Sequence, residues 1–404
     1  ISEETKLLRE AGDSYLAETL EHIKRVLTGE SEQSLTAVYE KHQEQVRQDE
    51  IRLLKELIKA AQIQFSFGQA RKFYERLIEL APTSEHHFNY AHLLQRLNDF
   101  ERARSHYEEA LQVLRELSKK DPELHKPNLA TTLNNLGSLL CYTNDFKQAQ
   151  VYYMEALQIY LELAEKDPVA YQPSVATALN NLGNLFSNTN EDEQAQACYE
   201  KALQIYRELV EQNLEVYKPN VATTLNNLGN SLKNTNEYEQ AQACYEEALQ
   251  IRRDLLKYDP EAYKLNVAIT LNNLGNLLRD IGELRQAQTC YEEALQILRE
   301  LEQKIPEAYS PKVAIALSNL TLLYLKLEEE ETAEKAYQEA HDVYQELACH
   351  HPRAYEIDYA KILVMGFDLL GKPKEYLEEA KEILGKYPEH PKAQELQRFI
   401  EECV

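Results

Sequence analysis

The chain has 404 residues, 43% apolar and 28% charged, with 11 Gly, 13 Pro and no Trp. That is enough apolar material to bury a core and too little Gly and Pro for a loop-rich or disordered chain, so helices with short connections are expected. Its 44 basic and 68 acidic residues give a formal charge of −24, which disfavours unspecific binding to nucleic acid or to an anionic membrane surface, and no run of 18 apolar residues spans a bilayer.

In chain order, residues 1–50 read as leading helices. Tyr15, Leu16, Leu20, Ile23 and Val26 fall at helical spacing before Gly29, either as a cap or as a regulatory segment packed into a groove of the downstream helices. Ile1 is not an initiator Met and no signal-peptide pattern is present after it, which suits a piece cut from a longer polypeptide.

From there a 46-residue period dominates. The string LNNLG begins at Leu133, Leu179, Leu225 and Leu271, with the relic LSNLT at Leu317. Ala103, Ala149, Ala195, Ala241, Ala287 and Ala333 share the step, as do Tyr107, Tyr153, Tyr199, Tyr245, Tyr291 and Tyr337. A further row, Tyr171, Tyr217, Tyr263, Tyr309 and Tyr355, reads as lying in connecting segments.

Each unit reads as two helices. Leu179, Leu182, Leu185 and Phe186 form the apolar stripe of a first helix; Asn188-Thr189-Asn190 breaks it. Equivalent breaks carry Asn98, Asn144, Asn236 or Gly282, residue types that tolerate the left-handed conformation at a helix end. A second helix starts near Glu191 with Ala195, Tyr199, Ala202 and Ile205 on one face. Shorter units are expected at 51–83 (Ala70, Tyr74, Pro82) and at 357–390 (Leu363, Ala380, Pro388). The organisation expected is an array of eight units over 51–390 and a capping helix over 391–404.

The pattern Leu179, Leu182-Gly183, Phe186, Ala195, Tyr199, Ala202 resembles the tetratricopeptide repeat, in the long form seen in kinesin light chains and in bacterial and archaeal signalling arrays. The resemblance covers roughly residues 51–390. It implies an all-α fold, an α-solenoid in which antiparallel helix pairs stack as a right-handed superhelix, with first helices lining a concave surface.

Groove positions are then Thr131, Asn134, Ser138; Thr177, Asn180, Asn184; Thr223, Asn226, Asn230; and Ile269, Asn272, Asn276. A second amide row, Asn135, Asn181, Asn227, Asn273 and Asn319, runs alongside and can equally brace neighbouring helices. An amide offers donors and an acceptor, so a row of them suits the backbone of an extended peptide regardless of side-chain sequence. Lys233 and Arg279 add positive charge one turn beyond. The ladder gives way to Glu85, Phe88, His92 and Gln95 toward the N-terminus and to Ile315, Ser318, Leu322 and Leu325 toward the C-terminus.

Other chemistry is sparse. No G-x-G-x-x-G, phosphate loop or G-x-S-x-G elbow occurs, so neither enzyme nor cofactor is expected. Cys349-His350-His351 has no spaced second pair, His87 and His92 are five apart, and no C-x-x-C exists, so no metal site is expected. Cys198, Cys244 and Cys290 recur at the repeat step, which reads as packing by free thiols in a reducing, cytoplasmic compartment. The acidic row Glu116, Glu162, Glu208, Asp254, Glu300 and Glu346 reads as a solvated face of a monomeric or weakly self-associating protein. The function expected is a protein-interaction scaffold binding an extended peptide or partner segment through the amide ladder. The alternative is a regulatory or sensor module of a larger signalling polypeptide, linked to an ATPase or a protease.

Overall fold

Helix boundaries are set by local backbone chemistry. The computed structural model describes residues 3, 5–6, 14–28, 30, 35–212, 215–388 and 390–403, and every regular element among them is helical. One compact unit, residues 1–166, contains α1 (Ser14–Leu27), α2 (Leu35–Ile63), α3 (Phe67–Leu80), α4 (Ser84–Arg96), α5 (Phe100–Lys120), α6 (Pro122–Tyr142) and α7 (Phe146–Lys166). The other, residues 167–404, contains α8 (Pro168–Asn188), α9 (Asp192–Glu211), α10 (Lys218–Asn234) and α11 (Tyr238–Leu256). It continues through α12 (Pro260–Asp280), α13 (Leu284–Glu302), α14 (Pro306–Lys326), α15 (Glu330–His350), α16 (Pro352–Leu370), α17 (Lys374–Gly385) and α18 (Pro391–Cys403). In each unit consecutive helices pack as antiparallel pairs stacked one on the next, the arrangement of an α-solenoid. Among the described residues no helix is long and apolar enough to cross a membrane. Of the leading segment, the Tyr15 side chain and Gly29 lie outside the described residues, and α2 runs through residue 50 without a break.

The turn inside each pair is made by one left-handed residue. Asn98, Asn144, Asn190 and Asn236 have φ between 58° and 64°, Gly282 has 89° and Glu328 has 60°, all at the repeat step. The preceding turn closes through bonds such as Glu191 N–H to Phe186 C=O at 2.8 Å.

Between pairs the structure corrects one expectation. Tyr171, Tyr263, Tyr309 and Tyr355 do not lie in connecting segments; they sit inside α8, α12, α14 and α16. For Tyr171 and Tyr263 the cause is the Asp-Pro dipeptide, while α14 and α16 start at Ile-Pro and His-Pro with no side-chain cap. Asp121, Asp167 and Asp259 accept the N–H of Leu124, Ala170 and Ala262 at 3.1–3.2 Å, and the adjoining Pro supplies a pre-set φ at the first helical position. The helix therefore starts five residues ahead of the second proline, and Pro127, Pro173 and Pro311 are carried inside it. Residues 213–214 are Asn-Leu instead of Asp-Pro. In that copy a 3₁₀ turn holds Glu215–Tyr217, and α10 begins only at Lys218.

The core of each pair is the alanine and tyrosine rows. Tyr107, Tyr199, Tyr245, Tyr291 and Tyr337 are each at most 2% exposed, and Tyr153 is 3%. Each ring in the middle copies lies against a backbone that carries no side chain: a Cβ on Gly137, Gly183, Gly229 or Gly275 would meet the ring of Tyr153, Tyr199, Tyr245 or Tyr291 at 2.5–2.9 Å. The Leu-Gly of the repeat is thus the seat of the next helix's tyrosine. Where Thr321 replaces that glycine, the Tyr337 hydroxyl reaches instead toward Gly366 and has no hydrogen-bond partner.

Within residues 167–404 the first helices α8, α10 and α12 each touch the next first helix, a contact the second helices do not match. First helices are therefore the inner layer of this unit. The outer layer is bridged by long side chains: Arg207, Arg253 and Arg299 each make two 2.7–2.8 Å bonds to Glu247, Glu293 and Glu339 one pair further on. Short amides staple the inner layer and long ion pairs span the wider outer one.

Candidate functional site

The inner layer displays the amide rows, and their hydrogen bonds give the rows a polarity. The Tyr199, Tyr245 and Tyr291 hydroxyls donate to the side-chain oxygens of Asn184, Asn230 and Asn276 at 2.8, 2.6 and 2.7 Å. The second row closes on the first: Asn273 donates to Asn226 Oδ1 at 3.2 Å and Asn319 to Asn272 Oδ1 at 3.0 Å. Asn227 departs from this register and donates to Asn184 Oδ1 at 3.0 Å, leaving Asn180 Oδ1 buried without a partner. Nearly every amide oxygen of the ladder is thus occupied by the protein itself. The side-chain –NH₂ groups of Asn184, Asn226, Asn230, Asn272 and Asn276 have no acceptor among the described residues; Asn226 is buried and the other four are half-buried. The face presents donors.

In the first unit, Asn134 is half-buried on α6, and its backbone carbonyl accepts the Ser138 hydroxyl at 3.1 Å. Ser138 in turn accepts the Tyr153 hydroxyl at 2.9 Å. Thr131 and Thr177 take the hydroxyls of Tyr160 and Tyr206 at 3.0 and 2.9 Å. Asn180 and Tyr206 line a shallow cleft of about 140 Å³ with Pro219, Asn220, Thr223 and Thr224.

Lys233 and Arg279 are held together by a carboxylate. Asp280 lies 3.0 Å from Lys233 and 3.2 Å from Arg279. Burial alone would raise the Asp280 carboxyl, but the bond to Lys233 and the attraction of both cations hold it below the usual carboxylate range. Arg279 keeps Nη1 buried and without a partner.

The ends of the ladder differ. At the N-terminal side Phe88 packs edge-on against Tyr107, with ring centres 5.7 Å apart, and Gln95 accepts the Tyr107 hydroxyl at 3.3 Å. At the C-terminal side a cavity of about 420 Å³ is lined by Leu322, Ile357, Val364, Met365, Leu396 and Phe399, with α18 as one wall.

Three features were not anticipated from the residues. The Arg–Glu bridges between second helices were legible only as two separate rows at the 46-residue step. His87 and His106, nineteen residues apart, meet with Nδ1 atoms at 3.0 Å, and burial lowers the pKa of both. Arg252 is buried where Tyr160 and Tyr206 stand in the preceding copies. Elsewhere, burial pushes the Cys244 and Cys290 thiols up to about 11, so neither is a ready nucleophile. Among the described residues no three His, Cys, Asp or Glu side chains converge as metal ligands.

The tetratricopeptide repeat profile matches residues 82–162, 220–300 and 266–346, and a second profile of the same repeat matches 175–213. No curated protein matches the chain in sequence. Among solved structures, BtubC (BKLC) from P. vanneervenii shares 26% identity at a TM-score of 0.50, over 63% of this chain and 94% of that one. The apo form of RapI shares 19% identity at a TM-score of 0.54, over 76% of this chain and 99% of that one, a likeness of fold.

Proposed function

Because the chain belongs to the tetratricopeptide repeat family, a family of protein-interaction scaffolds, we propose that its inner face binds an extended peptide or partner segment along the amide ladder. The observation that carries this reading is the row of unpaired –NH₂ donors on Asn184, Asn226, Asn230, Asn272 and Asn276. At ~3.3 Å per residue an extended backbone presents carbonyl oxygens at regular intervals, and such a row can receive them whatever the side chains are. Apolar side chains would seat at the ends, most readily in the cavity beside Leu322. The regulatory reading differs only in what lies outside these 404 residues, and the same face would serve it.

The test is to pan a displayed random-peptide library on the protein and measure the selected peptides by calorimetry on wild type and on the Asn230→Ala, Asn276→Ala double variant. Each lost bond is worth about 1 kcal/mol, so losing two should weaken affinity about thirtyfold. Equal affinity would overturn the ladder reading, and a lowered melting temperature beside it would show that the amides serve packing alone.

A further inference from the structure

At one position a second helix holds a buried cation where the two preceding copies hold a neutral tyrosine–threonine pair. The row Tyr160, Tyr206, Arg252, Leu298, Tyr344 recurs at the repeat step. Tyr160 and Tyr206 are satisfied by Thr131 and Thr177. Arg252 cannot repeat that bond and turns to the next first helix, where Nη1 donates to the Asn266 carbonyl at 3.0 Å and to the Thr270 hydroxyl. Its residue is only 5% exposed. Both acceptors are neutral, no carboxylate faces the guanidinium, and burial alone lowers its pKa to about 10. A buried charge without a counter-charge is costly, and a tyrosine at the same place avoids that cost in adjacent copies.

The geometry of what remains is specific. With Nη1 anchored, Nε and Nη2 have no acceptor among the described residues, and neither atom is sealed from solvent. These two atoms form the edge of the guanidinium that takes a carboxylate through two parallel bonds. One repeat step carries the cleft of Asn180, Tyr206, Asn220 and Thr223 onto the positions of Asn226, Arg252, Asn266 and Ile269. The surrounding amides present N–H groups, since Asn226 and Asn272 have their oxygens occupied by Asn273 and Asn319. An uncompensated cation with an unpaired donor edge, beside amide –NH₂ groups, calls for an acceptor-rich anion.

We infer that Arg252 is a carboxylate-binding position on the inner face, selecting bound segments that place an acidic group beside it. This rests on the inner face being the binding face. A planar carboxylate matches the free Nε–Nη2 edge and brings one negative charge to a protein already at −24. The carboxylate comes either from an Asp or Glu side chain or from a chain terminus.

The test uses the full chain labelled with ¹⁵N-arginine. The Arg252 Nε–H resonance is identified as the one missing from Arg252→Tyr, a variant that installs the residue of the preceding copies and should melt as wild type does. The probes are sodium acetate and three tripeptides: acetyl-Ala-Glu-Ala amide, its Gln analogue, and acetyl-Ala-Ala-Ala with a free carboxyl end. The expected result is a saturable shift of that resonance with acetate, and about tenfold tighter binding of the Glu peptide than of the Gln peptide. Arg252→Lys keeps the charge without the two-point edge, and should weaken the acidic peptide severalfold. A free-carboxyl peptide that binds better than the Glu peptide assigns the site to a chain terminus and also supports it. An Arg252 resonance unmoved by acetate, with equal binding of the Glu and Gln peptides, overturns the inference. The amide double variant Asn230→Ala, Asn276→Ala reads the ladder separately: acetate shifts Arg252 whether or not Asn230 and Asn276 hold a backbone.

Discussion

Gly183→Ala isolates the contact on which each helix pair is built. A Cβ at residue 183 would stand 2.5 Å from Cε1, 2.7 Å from Cδ1 and 2.9 Å from Cζ of Tyr199. The ring would have to retreat by about 0.9 Å to reach ordinary contact, in a site where Tyr199 is 2% exposed. Overpacking of this kind costs about 1–3 kcal/mol. The retreat also breaks the 2.8 Å bond from the Tyr199 hydroxyl to Asn184, for about 1 kcal/mol more. Against this, Ala is favoured over Gly in a helix by about 1 kcal/mol. The net expectation is a loss of about 1–3 kcal/mol. Two native copies show the direction of the response. With Ala91 at the equivalent position the Tyr107 hydroxyl goes to Gln95, and with Thr321 the Tyr337 hydroxyl is left without a partner. Because neighbouring pairs share only nearest contacts, the loss should appear in hydrogen exchange of α8 and α9 as well as in urea unfolding. Gly68→Ala, where no atom lies within 4 Å, is the control and should be neutral or slightly stabilising. A Gly183→Ala protein as stable as wild type, with unchanged exchange in α8 and α9, would refute the tyrosine-seat account.

Two other sites give equally direct outcomes. His87 and His106 share one Nδ1···Nδ1 bond, which needs an acceptor nitrogen and so at least one neutral ring; burial lowers both pKa values, with Glu109, Glu75 and Asp99 opposing and each ring's charged neighbour assisting. A depressed histidine contributes stability that is full above its unfolded pKa of ~6.5 and is lost as pH falls through the lower folded value. Stability of the α4–α5 pair should therefore drop as pH falls below about 6.5 in wild type and drop less in His106→Gln, measured by urea unfolding at each pH. On the outer layer, Arg207→Ala, Arg253→Ala and Arg299→Ala together should cost about 1–2 kcal/mol at low salt and much less at 1 M salt, because each bridge is about half exposed. An identical loss at both ionic strengths would mean the arginines act through packing of their stems.

Much was determined by the chain alone, because a duplicated local pattern repeats every constraint at a readable step. The left-handed break at Asn98, Asn144, Asn190 and Asn236 depends on a residue type and its immediate neighbours, and so does the Leu-Gly pattern that marks each first helix. Asp-Pro was equally visible at 167–168, yet the tyrosines beyond it read as linker, because the second proline outweighed an N-cap whose bond to Ala170 appears only in three dimensions. The amide ladder was legible as a row but not as a polarity. Which atom of Asn226 is occupied depends on Asn273, 47 residues later, and which atom of Asn230 is occupied depends on the Tyr245 ring that Gly229 admits. His87 with His106, Arg207 with Glu247 and Arg252 with Asn266 are likewise pairings across helices. Local chemistry sets where a helix starts and stops; only packing decides which polar atoms are left facing outward, and here those atoms are the site.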